Sequence, residues 1–255
     1  MMAATHSWGI RPTLFTLGSV GVPAYAVFMG LAICAAVISF VLESRRQRAP
    51  FEHGLALALA AGIGGTLGAK LPIWLMHARA LFGGSLSLPA ILSGRTIVGG
   101  LLGGIAAVIL TRRWLKLPLP SGNLFAAGLA LAIAIGRLGC FCAGCCYGIP
   151  THLPWGVDFG DGVLRFPTQL MESAFALLLF AYLLAMKTRL RAAGQLFTHF
   201  ILAYFTFRFA IEFLRDEPRP YLRLTLAQVV SAGIVLYYLI RPPYKTRPIE
   251  GAQHG

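Results

Sequence analysis

The stretch Val22–Arg48, "VPAYAVFMGLAICAAVISFVLESRRQR", decides how the chain is read. Val22–Leu42 is a near-continuous apolar run of about 20 residues, long enough as a helix to cross the hydrocarbon of a bilayer. Arg45, Arg46 and Arg48 follow at once, and basic residues beside a span mark its cytoplasmic end. The pattern recurs. Further candidate spans are Leu55–Met76, Leu88–Leu110, Asn123–Phe141, Thr168–Met186, Phe197–Leu214 and Thr225–Ile240, which makes about seven transmembrane helices. Basic groups follow the third (Arg112, Arg113, Lys116), the fifth (Lys187, Arg189, Arg191) and the seventh (Arg241, Lys245, Arg247). This alternation predicts an N-terminus outside and a C-terminus in the cytoplasm.

Composition points the same way. The 255 residues are 57% hydrophobic and 12% charged, and the mean hydropathy is +0.71. A soluble domain carries about 25% charged residues, so water-soluble functions are excluded and an all-α integral membrane protein is expected. The net charge of +13 is a topology signal, and a nucleic-acid partner has no support. The first eighteen residues contain Arg11 and Pro12 but no compact apolar core with a small-residue cleavage site. The first span is therefore expected to be retained. One membrane domain over residues 1–241 and a polar cytoplasmic tail over 242–255 are expected, with no internal repeat.

The informative arginines are those outside this pattern. Arg137 falls inside the fourth span, Arg208 and Glu212 inside the sixth, and Arg215 at its outer end. Even-numbered spans run outward, which places all four in the outer half. A charge at mid-span costs on the order of 3 kcal/mol, so such residues usually face an internal cavity and mark function. Arg208, Glu212 and Arg215, spaced i, i+4 and i+7, are expected on one helical face. The bland reading is a set of packing salt bridges. The sharper one is an anion as missing partner, for which the planar arginine fork suits a phospholipid phosphate.

Two other patterns admit several readings. Gly99, Gly100, Gly103 and Gly104 in the third span, with Gly64 and Gly68 in the second, allow close helix packing or close approach of a lipid. The run "AIGRLGCFCAGCCYG" (Ala134–Gly148) holds Cys140, Cys142, Cys145 and Cys146. Zinc lacks a second ligand cluster, and a redox pair lacks a thioredoxin-like βαβ context. A structural disulfide and buried inert thiols stay open.

These motifs, in this order, resemble the prolipoprotein diacylglyceryl transferases of bacterial cytoplasmic membranes, from about Tyr25 to Glu217. "GRLGCFCAGCCYG" is similar to that family's Gly-Arg…Gly-Asn-Phe…Gly-Glu…Gly signature, and "RFPTQLMES" to its His-Pro-Ser/Thr-Gln-Leu-Tyr-Glu segment. "FRFAIEFLRDEP" is similar to Arg-Phe-x-x-Glu-Phe-x-Arg, "AYAVFMG" to the first-span Tyr-Gly region, and "VGGLLGG" to His-Gly-Gly-Leu. The resemblance implies seven helices and transfer of diacylglyceryl from phosphatidylglycerol to the lipobox cysteine of a preprolipoprotein. It implies release of glycerol phosphate on the outer side, with no metal or other cofactor. By motif position it implies catalytic roles for Arg137, Arg208 and Glu212. Substrate contacts are implied for Tyr25, Gly99, Gly100, Cys140, Gly144, Cys145, Gly148, Gln169, Glu172 and Arg215. Arg137 and Arg208 are expected to grip the phosphate, Glu212 to orient an arginine, and Arg215 to guide the headgroup.

The departures are as specific. Cys140 stands for the family's asparagine and Cys145 for its glutamate, while Val98 and Phe166 replace its two histidines. His152, in an outer loop, and His77, near the outer end of the second span, are candidates for a base, though a lone loop histidine is usually a solvated bystander. A divergent paralogue with another acceptor and a membrane thiol-redox protein are the competing readings. A transporter is disfavoured by the lack of an inverted repeat.

Overall fold

The computed structural model describes residues 8–47, 51–77, 83, 97–116, 122–190, 192 and 194–240. The tail, residues 88–96 of the third expected span, and Arg48, Arg191, Arg241, Lys245 and Arg247 lie outside them. Seven α-helices run in order among the described residues: α1 (Ala24–Arg46), α2 (Phe51–Met76), α3 (Ile97–Trp114), α4 (Gly122–Cys142), α5 (Thr168–Met186), α6 (Gln195–Ile211) and α7 (Leu226–Ile240). Five are long and apolar enough to cross a membrane: α1, α2, α4, α5, and α6 with its extension to Leu214. The helix α5 has the bounds read from the sequence. The chain is a helical, multi-pass membrane protein.

Its contacts separate into two compact units, residues 1–40 with 122–255, and residues 41–121. In the second unit α2 packs on α3 through glycines. A Cβ built on Gly68 would land on the Gly99 carbonyl oxygen, and one on Gly64 would lie 2.6 Å from the Gly103 carbonyl oxygen. Helices in lipid have no hydrophobic drive toward each other, so such small residues let backbone meet backbone. Gly99 and Gly100 serve this packing, with Gly100 against Gly65 and Ala69.

In the first unit α4 packs against α1 by the same device. Gly128 faces Ala36 and Ser39, and Gly139 faces Phe28. The core lies around α6, where Phe200, Ile201, Tyr204 and Phe205 are buried, and the Phe175 and Phe207 rings stack with centroids 3.9 Å apart. The start of α7 is closed by a reciprocal cap. The Gln228 amide N–H donates to Thr225 Oγ1 at 3.2 Å, while the Thr225 N–H donates to Gln228 Oε1 at 2.9 Å, the T-x-x-Q capping box.

Two small hairpins depart from the purely helical expectation. In the first, β1 (Thr13–Leu17) pairs antiparallel with β2 (Val20–Pro23). Its base is tied down by the Arg11 N–H donating to the Cys142 carbonyl at 2.9 Å, and Trp8 packs on Phe141. In the second, β3 (Val157–Asp158) pairs with β4 (Leu164–Arg165). Asp158 Oδ1 accepts from the N–H groups of Gly160 and Gly162, which closes its turn.

Candidate active site

Three guanidinium groups from separate segments of the first unit converge on one carboxylate. Arg137 comes from the last turns of α4, Glu172 from the second turn of α5, and Arg208 from the end of α6. Arg137 Nη2 is 2.5 Å from Glu172 Oε2, Arg215 Nη1 is 3.4 Å from Glu172 Oε1, and Arg208 Nη1 is 3.8 Å from the same oxygen. Arg208 also pairs closely with Glu212, and Arg215 Nε lies 3.6 Å from Glu212 Oε2. All five side chains are at most 7% exposed. Ser173 fixes the register of α5 on α4 by donating to the Ala134 carbonyl at 2.9 Å, beside both members of the Arg137–Glu172 pair.

The buried charges do not balance. Three guanidinium groups face two buried carboxylates, and the compensating Glu217, 2.8 Å from Arg215 Nη2, is 43% exposed at the rim. The Nε atoms of Arg137, Arg208 and Arg215 are buried and make no hydrogen bond within the described residues. A buried donor without a partner is costly, and these three sit on cations; Glu172 Oε2 and Glu212 Oε2 are likewise buried without a hydrogen bond within the described residues.

Arg215 reaches the cluster by a route the spacing did not predict. Helix α6 ends at Ile211, tightens into a 3-10 turn over Glu212–Leu214, and leaves Arg215 extended at φ −89°, ψ 145°. Arg208 and Glu212 share a helical face as expected, but Arg215 does not. It is held by a β-bridge to Gly148 and by the Ile149 N–H donating to the Leu214 carbonyl at 2.8 Å. Gly148 has no room for a side chain, since a Cβ there would sit 2.7 Å from Phe166 Cβ and 2.9 Å from Thr168 Cγ2. Its role is to let the strand carrying Arg215 come close.

The cysteine run forms a tight turn beyond α4. Gly144 and Cys146 take left-handed conformations, φ 68° and 64°. Gln169, fully buried, donates from Nε2 to the Cys145 carbonyl at 2.6 Å, and Thr168 Oγ1 donates to the Cys146 carbonyl at 3.0 Å. All five cysteines of the chain are free thiols, so the structural disulfide left open by the sequence is not formed. Cys140 is buried and Cys146 exposed, with the sulfurs of Cys140, Cys145 and Cys146 within 4.8 Å of one another. Hydrogen bonds from Cys140 and Cys145 hold the Cys146 thiol far below its ordinary range, and the bond with Cys140 pushes Cys145 up.

Other expected residues are placed as follows. Tyr25 lies near the start of α1, its Cα 3.6 Å from a Cβ built on Gly139, so its backbone packs two residues beyond Arg137. Phe166, in a family histidine's place, donates its N–H to Ile149 and accepts from Gly148. His152 is exposed. His77, in the second unit, makes a ring contact at 3.0 Å with the Ile73 carbonyl of its own helix.

Sequence reasoning missed several members. Thr225 donates from Oγ1 to Glu212 Oε1 at 3.1 Å, so the cap of α7 also positions the carboxylate beside Arg208; the T-x-x-Q pattern was the available signal. Tyr204 is buried among the cluster's charges, and its hydroxyl has no hydrogen-bond partner within the described residues. It sits one helical turn before Arg208, a spacing that could have found it. Glu217 gave no signal beyond its charge.

Comparison with known proteins bears on this geometry. The family profile described as prolipoprotein diacylglyceryl transferase matches residues 12–241. The phosphatidylglycerol–prolipoprotein diacylglyceryl transferase of Clostridium tetani is 33% identical over 237 residues, covering 89% of this chain and 94% of the relative. The protein of the same name from Geobacter sulfurreducens is 35% identical over 246 residues, covering 90% of each.

Proposed function

The chain belongs to the prolipoprotein diacylglyceryl transferase family, and from that premise we propose that it moves diacylglyceryl from phosphatidylglycerol to the lipobox cysteine of prolipoproteins. The observation that carries the reading is the set of three buried guanidinium groups with unpaired Nε donors around Glu172. The reaction places a phosphate in need of such donors. The lipobox sulfur attacks the glycerol carbon that bears the phosphate. A C–S bond forms, the C–O bond breaks, and glycerol phosphate leaves with the bonding pair. The thiol proton passes to the departing phosphate monoester, whose second pKa is about 6.

Arg137 and Arg208 grip the phosphate through the donors that the protein leaves unused. They stabilise the charge that builds on oxygen, in a water-poor site where such stabilisation is strongest. Glu172 and Glu212 hold the guanidinium groups in place. Arg215, with Glu217 at the rim, guides the headgroup. The basic clusters after alternate spans support a cytoplasmic-membrane orientation with this site on the outer side, where phospholipid enters from the outer leaflet.

The test is transfer of labelled diacylglyceryl from phosphatidylglycerol vesicles to a lipobox peptide by the purified protein, alongside complementation of a strain depleted of its own transferase. Wild-type protein is expected to lipidate the peptide and restore growth. Arg137→Ala is expected to abolish both while inserting normally. Phosphatidylglycerol bound without transfer to the peptide would reassign the acceptor.

A further inference from the structure

We propose that Cys140, Cys145 and Cys146 form a three-thiolate site for a soft metal ion of the zinc or copper(I) class. The site adjoins the arginine cluster, no step of the proposed transfer uses these sulfurs, and its ion pins the turn that follows α4.

The three sulfurs lie within 4.8 Å of one another. A point equidistant from three atoms so spaced is at most about 2.8 Å from each, and a small contraction gives the 2.3 Å of a zinc–thiolate bond. Sequence spacing alone would not produce this. On a continuous helix, residues five and six positions on from Cys140 would point about 140° and 240° away. The left-handed turn at Gly144 and Cys146 folds them back. Gln169 and Thr168 then clamp the carbonyls of Cys145 and Cys146 from α5. The thiols are thus brought together by a braced loop, which is what ligand preorganisation requires.

The surroundings choose the kind of ion. Arg137 and Arg215 are near enough to act on a charge at Cys146, and their field repels a bare hard cation. An ion held by three thiolates carries net negative charge, which the same arginines favour. Soft thiolate ligands select zinc and copper(I) over magnesium or calcium. Binding sends the thiol protons to solvent. Cys142 and Cys34 stand outside the cluster and serve as internal references.

The experiment uses the full-length, reduced protein in detergent. It is incubated with Zn2+ or, as a spectroscopic probe, Cd2+, then desalted, assayed for bound metal and labelled with maleimide. We expect about one equivalent retained per chain, a cadmium–thiolate absorption band, and labelling of Cys145 and Cys146 that falls relative to the metal-free protein while labelling of Cys142 does not change. Cys140→Ser and Cys145→Ser are expected to lose the metal, and Cys142→Ser to keep it. The labelling pattern of the wild-type protein decides the matter even if a variant fails to fold. No retained metal, labelling of Cys145 and Cys146 that loading leaves unchanged, or a disulfide among the three in the protein as isolated would overturn the proposal. Transfer activity of the metal-free protein reports on the proposed function independently.

Discussion

Arg137 of α4 and Glu172 of α5 meet at 2.5 Å with side chains 3% and 1% exposed, and Arg208 and Arg215 approach the same carboxylate from two further segments. One anion therefore serves three cations. Glu172→Gln keeps the shape and removes the charge, leaving three guanidinium groups offset by Glu212 and, at the rim, by Glu217. Breaking a buried pair in this way costs about 3–5 kcal/mol. Thermal unfolding in detergent should shift down accordingly and transfer should disappear. An E172Q protein as stable as the parent would refute the shared-anion picture.

Arg208→Lys separates charge from geometry. Lysine keeps the positive charge but lacks the planar fork that can hold Glu212 and a phosphate together. Transfer is expected to fall by about 100-fold or more, with the protein inserted and folded, as read from turnover against lipobox peptide. Near-normal turnover would mean that charge alone suffices.

Gly148→Ala tests the close strand approach. The added methyl would strike Phe166, Thr168 and the Leu214 carbonyl, and overpacking of this kind costs about 1–3 kcal/mol. Gly233→Ala, in open space on α7, should be neutral or gain up to about 1 kcal/mol from helix propensity. Scanning fluorimetry of the pair checks both. Equal melting of the two variants would remove the close-approach account of Gly148.

The second hairpin gives a pH signature. The hydrogen bond from Arg165 holds the Asp161 carboxyl below its ordinary value, and Arg165 also reaches Asp216 at 3.0 Å. A depressed carboxylate pKa stabilises the fold above the unfolded value, about 3.9, and that contribution is lost as pH falls through the folded value. Limited proteolysis within residues 149–166 should be flat from pH 8 to about 5 and rise only below about 4. The effect should weaken with salt, because the pair is exposed. Asp161→Asn should cleave readily at every pH.

The spans were legible because lipid imposes length and apolarity on each one separately. That is why α5 begins at Thr168 and ends at Met186 as read. Arg137, Arg208 and Glu212 were legible for the related reason that a charge in an apolar run needs a cause. The path of Arg215 was not, since the 3-10 turn over Glu212–Leu214 and the bridge to Gly148 join segments far apart in the chain. Nor was the first hairpin: "TLFTLGSVGVP" alternates, but its β1 residues are all exposed, so no buried face marked it. The central place of Glu172 was hidden because i+3 spacing from Gln169 specifies a face and leaves the partner unnamed. The convergence of three sulfurs depends on two left-handed residues, one of which, Cys146, has a side chain that argues against that conformation.

The capping box of α7 has one more consequence. Thr225 closes the helix end and steadies Glu212 with the same hydroxyl, so a tilt or loosening of α7 is transmitted directly to the carboxylate that aims Arg208. Loss of that one hydroxyl would therefore remove a hydrogen bond from the helix end and another from the carboxylate together.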